Sequence, residues 1–458
     1  MITNKNKYVI SDPYIYPVCP LSIDHAKIML VADINARMQR KENKQVIFPI
    51  AVHYSGVTAQ KSIDNLHSDD TEIRNKERDK FIKGYKTPRN VVEGFKNPEM
   101  LLDYYTAQTV MDLKNLGVSC DYNNFYKTND EDYEIFVNTI FKNYEDKGLL
   151  INNSNGELAL DYENSKWRNK TKKDFDKLEF ISPSIRNSIT SAFDNIKSEW
   201  GILRDYGIGV RYNEKYVIDP MFDSELFVIY DLYKRFEKLN NESNSKKLFK
   251  EIFEILAGNK KSTDTHNPTV KNIIKSMPTD LFVCEEHLKN WIVKKTYSEN
   301  ALFSKKYQTK TYFITGMGYI DGKRMSSSRG TAVLLKDLLE EYGGTVTRMI
   351  IMFTGGHPSK MYNYSQENIV IIQKMLSEFY NYINYINAAI IDEEKTNKFS
   401  DDFDYLNKLL KEGYYQQLLV EILKNIPKKC YNMPHEELVG VKNTISYFID
   451  ILIPDLKI

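Results

Sequence analysis

The chain has 458 residues and a formal net charge of +1, and 42% of its residues are hydrophobic and 27% are charged. This length is too great for one compact core, so we expect two or three domains. The balanced charge excludes a single-sign field that would attract nucleic acid over the whole surface, so any such contact must depend on local patches.

Cysteine spacing and hydropathy restrict the class of protein further. The four cysteines form no C-x-x-C pair, which argues against a disulfide framework and against a cysteine zinc site. No run of about eighteen uncharged apolar residues predicts a membrane span. We therefore expect a cytoplasmic protein with no membrane partner and no protein-bound metal.

Residues 1–56 predict a strand, a loop, a helix and a second strand in that order. The helix is predicted over 25–40, with Ser22 or Asp24 as the N-cap that accepts from unpaired backbone N–H groups. Gln45–His53 is a continuous apolar run, which is typical of a strand buried on both faces of a parallel sheet. In such a βαβ unit the loop before the helix is where nucleotide phosphates bind. On the alternative interpretation, this loop only caps the helix and binds nothing.

The following segments continue the alternation of helices and strands. Helical periodicity covers Asn97–Leu116 and Glu131–Gly148, and the segment 118–125 between them predicts a further strand. From about 152 to 198 the pattern weakens into charged helical stretches without strong strands. We interpret this segment as an insertion in an α/β domain.

The alternating pattern resumes at Trp200 and reaches a buried strand at 312–315. A hairpin turn is predicted at 321–322, and the loop 322–330 places three serines between basic residues. Such a loop can surround a polyphosphate with hydroxyls, N–H groups and cations, and a solvated basic turn is the alternative. After Leu335 the pattern is helical to the end, which predicts a helical bundle.

Four segments of the chain, in one order, resemble a known family. They are YPVCPLSIDHAKIMLVADINARMQR, VIFPIAVHYSG, EWGILRDYGIGVRYNEKYVIDPMFDSELFVIY and ITGMGYIDGKRMSSSRGTAVLLKDLLEEYGGTVTRMII. The first is similar to the segment that carries the H-I-G-H signature of class I aminoacyl-tRNA synthetases, and the last is similar to their K-M-S-K-S loop. Together the four resemble leucyl-tRNA synthetases of the archaeal and eukaryotic kind.

The resemblance implies an α/β fold, with a Rossmann-type parallel sheet as the catalytic core followed by an α-helical bundle. It also implies four parts. These are 1–150, the first half of the catalytic core; 151–199, a shortened connective insertion without an editing domain; 200–345, the second half of the core with the signature loop; and 346–458, a helical bundle resembling the anticodon-binding domain. We expect the family's C-terminal extension to be absent as well.

The implied reaction joins an amino acid to ATP. The amino-acid carboxylate attacks the α-phosphate, pyrophosphate leaves, and the aminoacyl-adenylate passes its acyl group to an acceptor. The expected ligands are ATP with Mg²⁺ and a leucine-like amino acid or analogue. The acceptor is tRNA or, alternatively, a small molecule or carrier in a biosynthetic pathway.

The resemblance also assigns site residues by motif position. The residues expected to be catalytic are Ser22, His25, Arg324 and Ser327. The residues expected to bind ATP are Cys19, Asp24, His25, Glu285, His287, Lys323, Arg324, Met325, Ser326, Ser327 and Ser328. The residues expected to bind the amino acid are Tyr16, His53, Met221, Asp223 and Phe227. For the apolar members of the last set, plain core packing is the alternative.

Several of these positions depart from the family pattern on the nucleotide side. Asp24 and Cys19 stand where glycine is usual, Ser22 replaces the first signature histidine, and Ser327 replaces the second signature lysine. An ionised carboxylate about 5 Å from a phosphate would cost roughly 3 kcal/mol at an effective dielectric of about 20.

Three hypotheses about function follow. The first is an adenylate-forming ligase without editing, the second is a catalytically degenerate paralogue that binds an amino acid as a sensor or regulatory partner, and the third is a ligase that uses a different nucleotide. We prefer the first because the basic serine loop and His25 persist.

Overall fold

The computed structural model describes residues 7–153, 156–176, 179–180, 183–239, 244–288, 290–320, 322–326, 331–390, 399–431 and 433–458. Within these ranges, no helix combines the length and the apolar character needed to cross a lipid bilayer.

The N-terminal part contains the expected βαβ unit and a group of helices. Its elements in chain order are β1 (Lys7–Ser11), α1 (Ile23–Lys41), β2 (Gln45–Ile47), β3 (Ala51–Val52), α2 (Thr58–Leu66), α3 (Thr71–Asp79), α4 (Arg89–Gly94), α5 (Pro98–Asn115), β4 (Tyr126–Lys127), α6 (Glu131–Asp146) and β5 (Leu150–Asn152). The single strand predicted over Gln45–His53 is wrong. It is divided into β2 and β3 around Pro49, which has no N–H for a sheet hydrogen bond. The strand predicted over 118–125 is also wrong, because β4 begins only at Tyr126.

The middle part adds more strands than its sequence pattern indicates. Its elements are β6 (Leu158–Asp161), α7 (Ser165–Phe175), β7 (Glu179–Phe180), α8 (Pro183–Asp194), β8 (Glu199–Gly201), β9 (Leu203–Arg204), β10 (Val217–Ile218), α9 (Pro220–Asp223), α10 (Phe227–Phe236), α11 (Ser245–Ala257), α12 (Pro268–Lys275), β11 (Asp280–Cys284), α13 (Trp291–Leu302), β12 (Thr311–Thr315), β13 (Gly318–Ile320) and β14 (Lys323–Arg324). The segment 152–198, where no strong strand was predicted, thus contains β6 and β7. Strands β5, β6 and β8 form an antiparallel sheet, and strands of two to four residues carry too little periodicity for detection.

The C-terminal part is helical, as predicted, apart from one short strand. Its elements are α14 (Leu335–Met352), β15 (Tyr362–Asn363), α15 (Gln366–Ala389), α16 (Phe403–Glu412), α17 (Tyr415–Val420), α18 (Ile426–Lys429) and α19 (His435–Leu452). Strand β15 contradicts the prediction of an all-helical segment. It pairs with β13, where Gly318 lies opposite Tyr362, and this distant pairing leaves no local signal in the sequence.

The main sheet has five strands in the order β2-β1-β11-β12-β7, and all its pairs are parallel. Strand β1 is followed by α1 and then by β2 on one side, whereas β11 lies on the other side. The strand order therefore reverses between β1 and β11. In parallel α/β sheets, a reversal of this kind opens a crevice at the carboxyl ends of the two strands, where ligands bind.

The predicted hairpin turn lies next to this sheet. In β13 and β14, Ile320 pairs with Lys323, so the turn between them is two residues long. Gly322 has φ of +73°, which glycine adopts without strain, whereas Asp321 lies outside the described residues. The α/β sheet followed by a helical bundle confirms the predicted fold class, and the four-part division of the chain stays a prediction.

A buried ion pair joins the sheet domain to the helical part. Asp33 on α1 and Arg348 on α14 are both fully buried, and the guanidinium donates to the Asp33 carboxylate at 2.8 Å. Arg348 also donates to the backbone carbonyl of Leu452 at the end of α19 at 2.8 Å. Three helices from different parts of the chain are therefore held together by one side chain.

Candidate functional site

Two adjoining cavities of about 690 and 660 Å³ open at the carboxyl ends of β1 and β11. We call the larger one the first cavity and the smaller one the second cavity. Both are lined by Tyr14 and Tyr16 after β1, by His287 after β11 and by Arg324 on β14. Of the residues predicted for the nucleotide, the second cavity collects Cys19, Ser22, Asp24, His25, His287, Arg324, Met325 and Ser326. Of the residues predicted for the amino acid, the first cavity collects Tyr16, His53 and Met221.

The start of α1 forms one wall of the second cavity. Ser22 is the N-cap, and its backbone N–H and its hydroxyl lie 3.2 and 3.0 Å from Nδ1 of His25. Because Nδ1 accepts from the backbone N–H, the neutral ring carries its proton on Nε2. Burial lowers the pKa of His25, and Glu286 and Asp24 oppose this shift. His25 therefore offers a neutral N–H donor at a helix N-terminus, where anions are favoured.

Asp24 lies in the first turn of α1 and is not its cap. The hydroxyl of Tyr362 donates to Asp24 Oδ1 at 2.8 Å, and the ammonium of Lys27 lies 4.3 Å from the centre of the Tyr362 ring. Burial raises the pKa of Asp24, and the Tyr362 bond, His25 and Lys27 oppose this rise. Asp24, which stands where the family pattern has glycine, is thus held by Tyr362 of the C-terminal part.

The signature-like loop forms the opposite wall. Arg324 donates to the carboxylate of Glu286 at 2.8 Å, and both side chains are about half exposed. The buried Met325 donates its backbone N–H to the carbonyl of Gly318 at 3.0 Å. The exposed Lys323 is not among the residues that line either cavity. The predicted residues Ser327 and Ser328 lie outside the described residues.

The turn after β11 contributes to both cavities. Glu285, which was predicted on the nucleotide side, lines the first cavity, whereas His287 lines both. The imidazole of His287 lies 6.1 Å from the ring of Trp291 in an edge-on arrangement. Burial lowers the pKa of His287, Glu286 opposes this shift and His25 adds to it. Two imidazoles with lowered pKa values therefore share the second cavity.

A buried dyad lies at the base of the first cavity. His53 Nε2 donates to Asp223 Oδ1 at 2.8 Å, and Asp223 is fully buried. Burial raises the pKa of Asp223, and His53 opposes this rise. Asp223 and Phe227 are not among the residues that line the cavity. Phe227 instead packs on Tyr14, with ring centres 5.3 Å apart, so these two predicted residues support the wall from behind.

The sequence analysis missed several residues of the site. Tyr14 and Glu286 line both cavities, and their position beside predicted residues was an available signal. Asp12, after β1, lines the second cavity and carries a carboxyl whose pKa is raised by burial and then by Asp231. Tyr362 is separated from Asp24 by 338 positions, and nothing in the sequence indicates their contact.

Cys19 lines the second cavity, and burial raises the pKa of its thiol to about 12. The thiol is therefore neutral near pH 7 and is a poor nucleophile. Among the described residues, no group of three or more His, Cys, Asp or Glu side chains is placed to hold a metal ion.

Comparisons with known proteins agree with this architecture. Residues 2–157 match the family model described as tRNA synthetases class I (I, L, M and V). A probable cytoplasmic leucine–tRNA ligase of Vairimorpha ceranae is 26% identical over 258 residues, which cover 53% of this chain and 29% of that protein. The leucine–tRNA ligase of Staphylothermus marinus is 31% identical over 150 residues, which cover 32% of this chain and 16% of that protein. The matched part thus spans less than a third of either relative.

The fold also has a solved counterpart. The methionyl-tRNA synthetase of Mycobacterium tuberculosis, solved in complex with methionyl-adenylate, superposes with a TM-score of 0.63 at 13% identity, and the match covers 98% of this chain and 92% of that chain. At this identity the likeness concerns the fold alone. Residues 2–157 are therefore similar to class I tRNA synthetases, and leucine–tRNA ligases are among the proteins that the chain resembles.

Proposed function

We propose that this chain is a leucyl-tRNA synthetase-like ligase that activates an amino acid with ATP and transfers the aminoacyl group to tRNA or to another acceptor. The observation that carries the proposal is the convergence of the two signature-like segments. His25 and Arg324, far apart in sequence, line one cavity at the reversal point of the parallel sheet. The solved counterpart, which binds methionyl-adenylate, supports this assignment.

The second cavity is proposed to take ATP. Its volume of about 660 Å³ lies within the range of about 300 to 1,000 Å³ typical of small-molecule sites. The His25 Nε2–H donates to a phosphate oxygen at the N-terminus of α1. Arg324 leaves its ion pair with Glu286 and donates to the departing pyrophosphate, on which negative charge develops. Because preorganised donors stabilise developing charge, these two residues supply the electrostatic part of the reaction.

The first cavity is proposed to take the amino acid. Met221, Tyr14 and Trp291 provide apolar wall for a leucine-like side chain, and the His53–Asp223 dyad fixes the polar base. The cavities adjoin along Tyr14 and Tyr16, so the amino-acid carboxylate can reach the α-phosphate. Positioning of the two reactants is then the main contribution of this wall.

Mg²⁺ is proposed to enter with the nucleotide. Mg²⁺ is commonly bound through the phosphates of a substrate and one or two carboxylates. When bound, it neutralises phosphate charge.

Amino-acid-dependent exchange between ATP and pyrophosphate tests the proposal. We expect exchange with the native protein and a loss of at least a hundredfold with His25→Ala. His266→Ala, at an exposed histidine, is the matched control and retains exchange. Absence of exchange with every amino acid tested overturns the proposal, and amino-acid binding without exchange then supports the sensor hypothesis. Charging assays with bulk tRNA identify the acceptor.

A further inference from the structure

A crevice of about 500 Å³ lies between α5 and α14 and shares no lining residue with the two cavities. On α5 it is lined by Gln108, Met111, Asp112 and Asn115, whose spacing of three and four residues places them on one helix face. We call it the α5–α14 crevice. Its α14 wall lies within the fourth of the quoted segments, but the reaction proposed above makes no use of the crevice.

Two buried acceptors in this crevice lack donors. Asp112 is only 2% exposed, and its Oδ2 has no hydrogen-bond partner among the described residues. Oε1 of Gln108, one helical turn away, is likewise buried and without a partner in the described part of the chain. Buried polar atoms are nearly always satisfied in folded proteins. N–H or O–H donors, from a ligand or from water, would satisfy these two neighbouring acceptors.

The backbone of α14 shapes the opposite wall. Gly343 has φ of +71° and interrupts the helix, and Gly344 packs directly against α5. A Cβ added at Gly344 would lie 2.3 Å from the carbonyl oxygen of Asn115. The close approach of the two helices at this point therefore requires a glycine.

The charges of the lining favour a cation. Asp112 and Glu340 are carboxylates, and Lys336 is the cation among the lining residues. The Lys336 ammonium donates to the backbone carbonyls of Tyr85 at 2.6 Å and Lys86 at 3.3 Å, so it is directed toward the 85–86 turn. Burial raises the pKa of Asp112 to about 7; Lys336 opposes this rise, and the charge of Asp337 adds to it. A bound cation with N–H donors would pair with this carboxylate and with Gln108.

We propose that the α5–α14 crevice is a binding site for a small organic cation with two or more N–H donors, such as a short alkyl diamine. One ammonium group donates to Asp112 and Gln108, and the alkyl chain lies along Met111 and Leu339. Glu340, at the exposed side of the crevice, receives the second ammonium group.

Calorimetric titration of the full chain with 1,4-diaminobutane, at pH 8 and without ATP, tests this site. We expect saturable binding that is at least tenfold weaker in Asp112→Asn and a few-fold weaker in Glu340→Gln. Asp103→Asn is the matched control, because Asp103 is an exposed carboxylate on α5 that pairs with Lys127 and does not line the crevice. Equal affinity in the native chain and Asp112→Asn, or no saturable binding by the native chain, overturns the proposal.

A second measurement covers the case in which Asp112→Asn does not fold. A crystal structure of the native chain grown with 1,4-diaminobutane should show the diamine between Asp112 and Gln108. Ordered water alone in the crevice overturns the proposal. Because ATP is absent from both experiments, their outcome is independent of the proposed ligase activity.

Discussion

Replacing Asp24 by asparagine tests the nucleotide site most directly. The change removes a negative charge from the second cavity but keeps an oxygen that can accept from Tyr362. A carboxylate about 5 Å from a phosphate would oppose binding by about 3 kcal/mol at an effective dielectric of about 20. Lys27, held over the Tyr362 ring at 4.3 Å, offsets part of this repulsion. We therefore expect Asp24→Asn to tighten binding of a non-hydrolysable ATP analogue by about tenfold, or about 1.4 kcal/mol.

Titration calorimetry with Tyr362→Phe completes a double-mutant cycle. Removing the Tyr362 hydroxyl frees the Asp24 carboxylate to turn into the cavity, so we expect weaker nucleotide binding in the native background. In the Asp24→Asn background the same change should have little effect. Additive effects of the two substitutions would show that the hydroxyl does not act through Asp24.

The pH dependence gives a further check on the same residue. Because burial raises the pKa of Asp24, the carboxyl takes up its proton at a higher pH than an exposed aspartate does, and the repulsion is lost on protonation. The affinity of the native protein should therefore approach that of Asp24→Asn as the pH falls. An affinity that is unchanged by Asp24→Asn at every pH would refute the reasoning.

Three further predictions concern charged contacts. Arg348→Met removes the guanidinium that donates to the buried Asp33 carboxylate and to the Leu452 carbonyl. The free energy of unfolding measured in urea should therefore fall by about 3 to 5 kcal/mol. A loss below about 1 kcal/mol contradicts this prediction. Although burial alone would raise the pKa of Asp33, Arg348 helps to hold it below its usual value. The stability that the ionised Asp33 carboxylate gains from Arg348 is fully present above the unfolded pKa of about 3.9 and is lost as the pH falls through the lower folded pKa. Acid should therefore lower the free energy of unfolding more in the native protein than in Arg348→Met. Glu286→Gln releases Arg324 from a half-exposed ion pair, which is worth up to about 1 kcal/mol. The KM for ATP in the exchange assay should therefore fall by up to about fivefold. An unchanged KM would mean that Arg324 does not contact the nucleotide.

Motif position in the sequence predicted which residues would lie near one another. Ser22, His25 and Arg324 were assigned from their segments, and all three line the second cavity. His53 and Met221 were assigned in the same way, and both line the first cavity. These residues lie together because they follow strands or precede a helix, and the parallel sheet brings those ends to one edge. Their roles in binding and catalysis stay predictions.

Other parts of the site depend on distant contacts. Glu285 was predicted to bind the nucleotide, and it lines the first cavity but not the second. Phe227 and Asp223 stand behind the wall that Tyr14 and His53 form. Motif position determines which loop a residue belongs to, but packing around that loop decides the direction of its side chain.

The sequence by itself determined the βαβ beginning, the α/β class and the helical C-terminal part, because hydrophobic periodicity and the alternation of strands with helices are read from neighbouring residues. Only the tertiary structure decided that Tyr362 holds Asp24 and that Arg348 joins α1 to α14 and α19. Each of these contacts joins residues more than 100 positions apart. They form only after burial has removed competing water from both partners, so no local pattern can encode them.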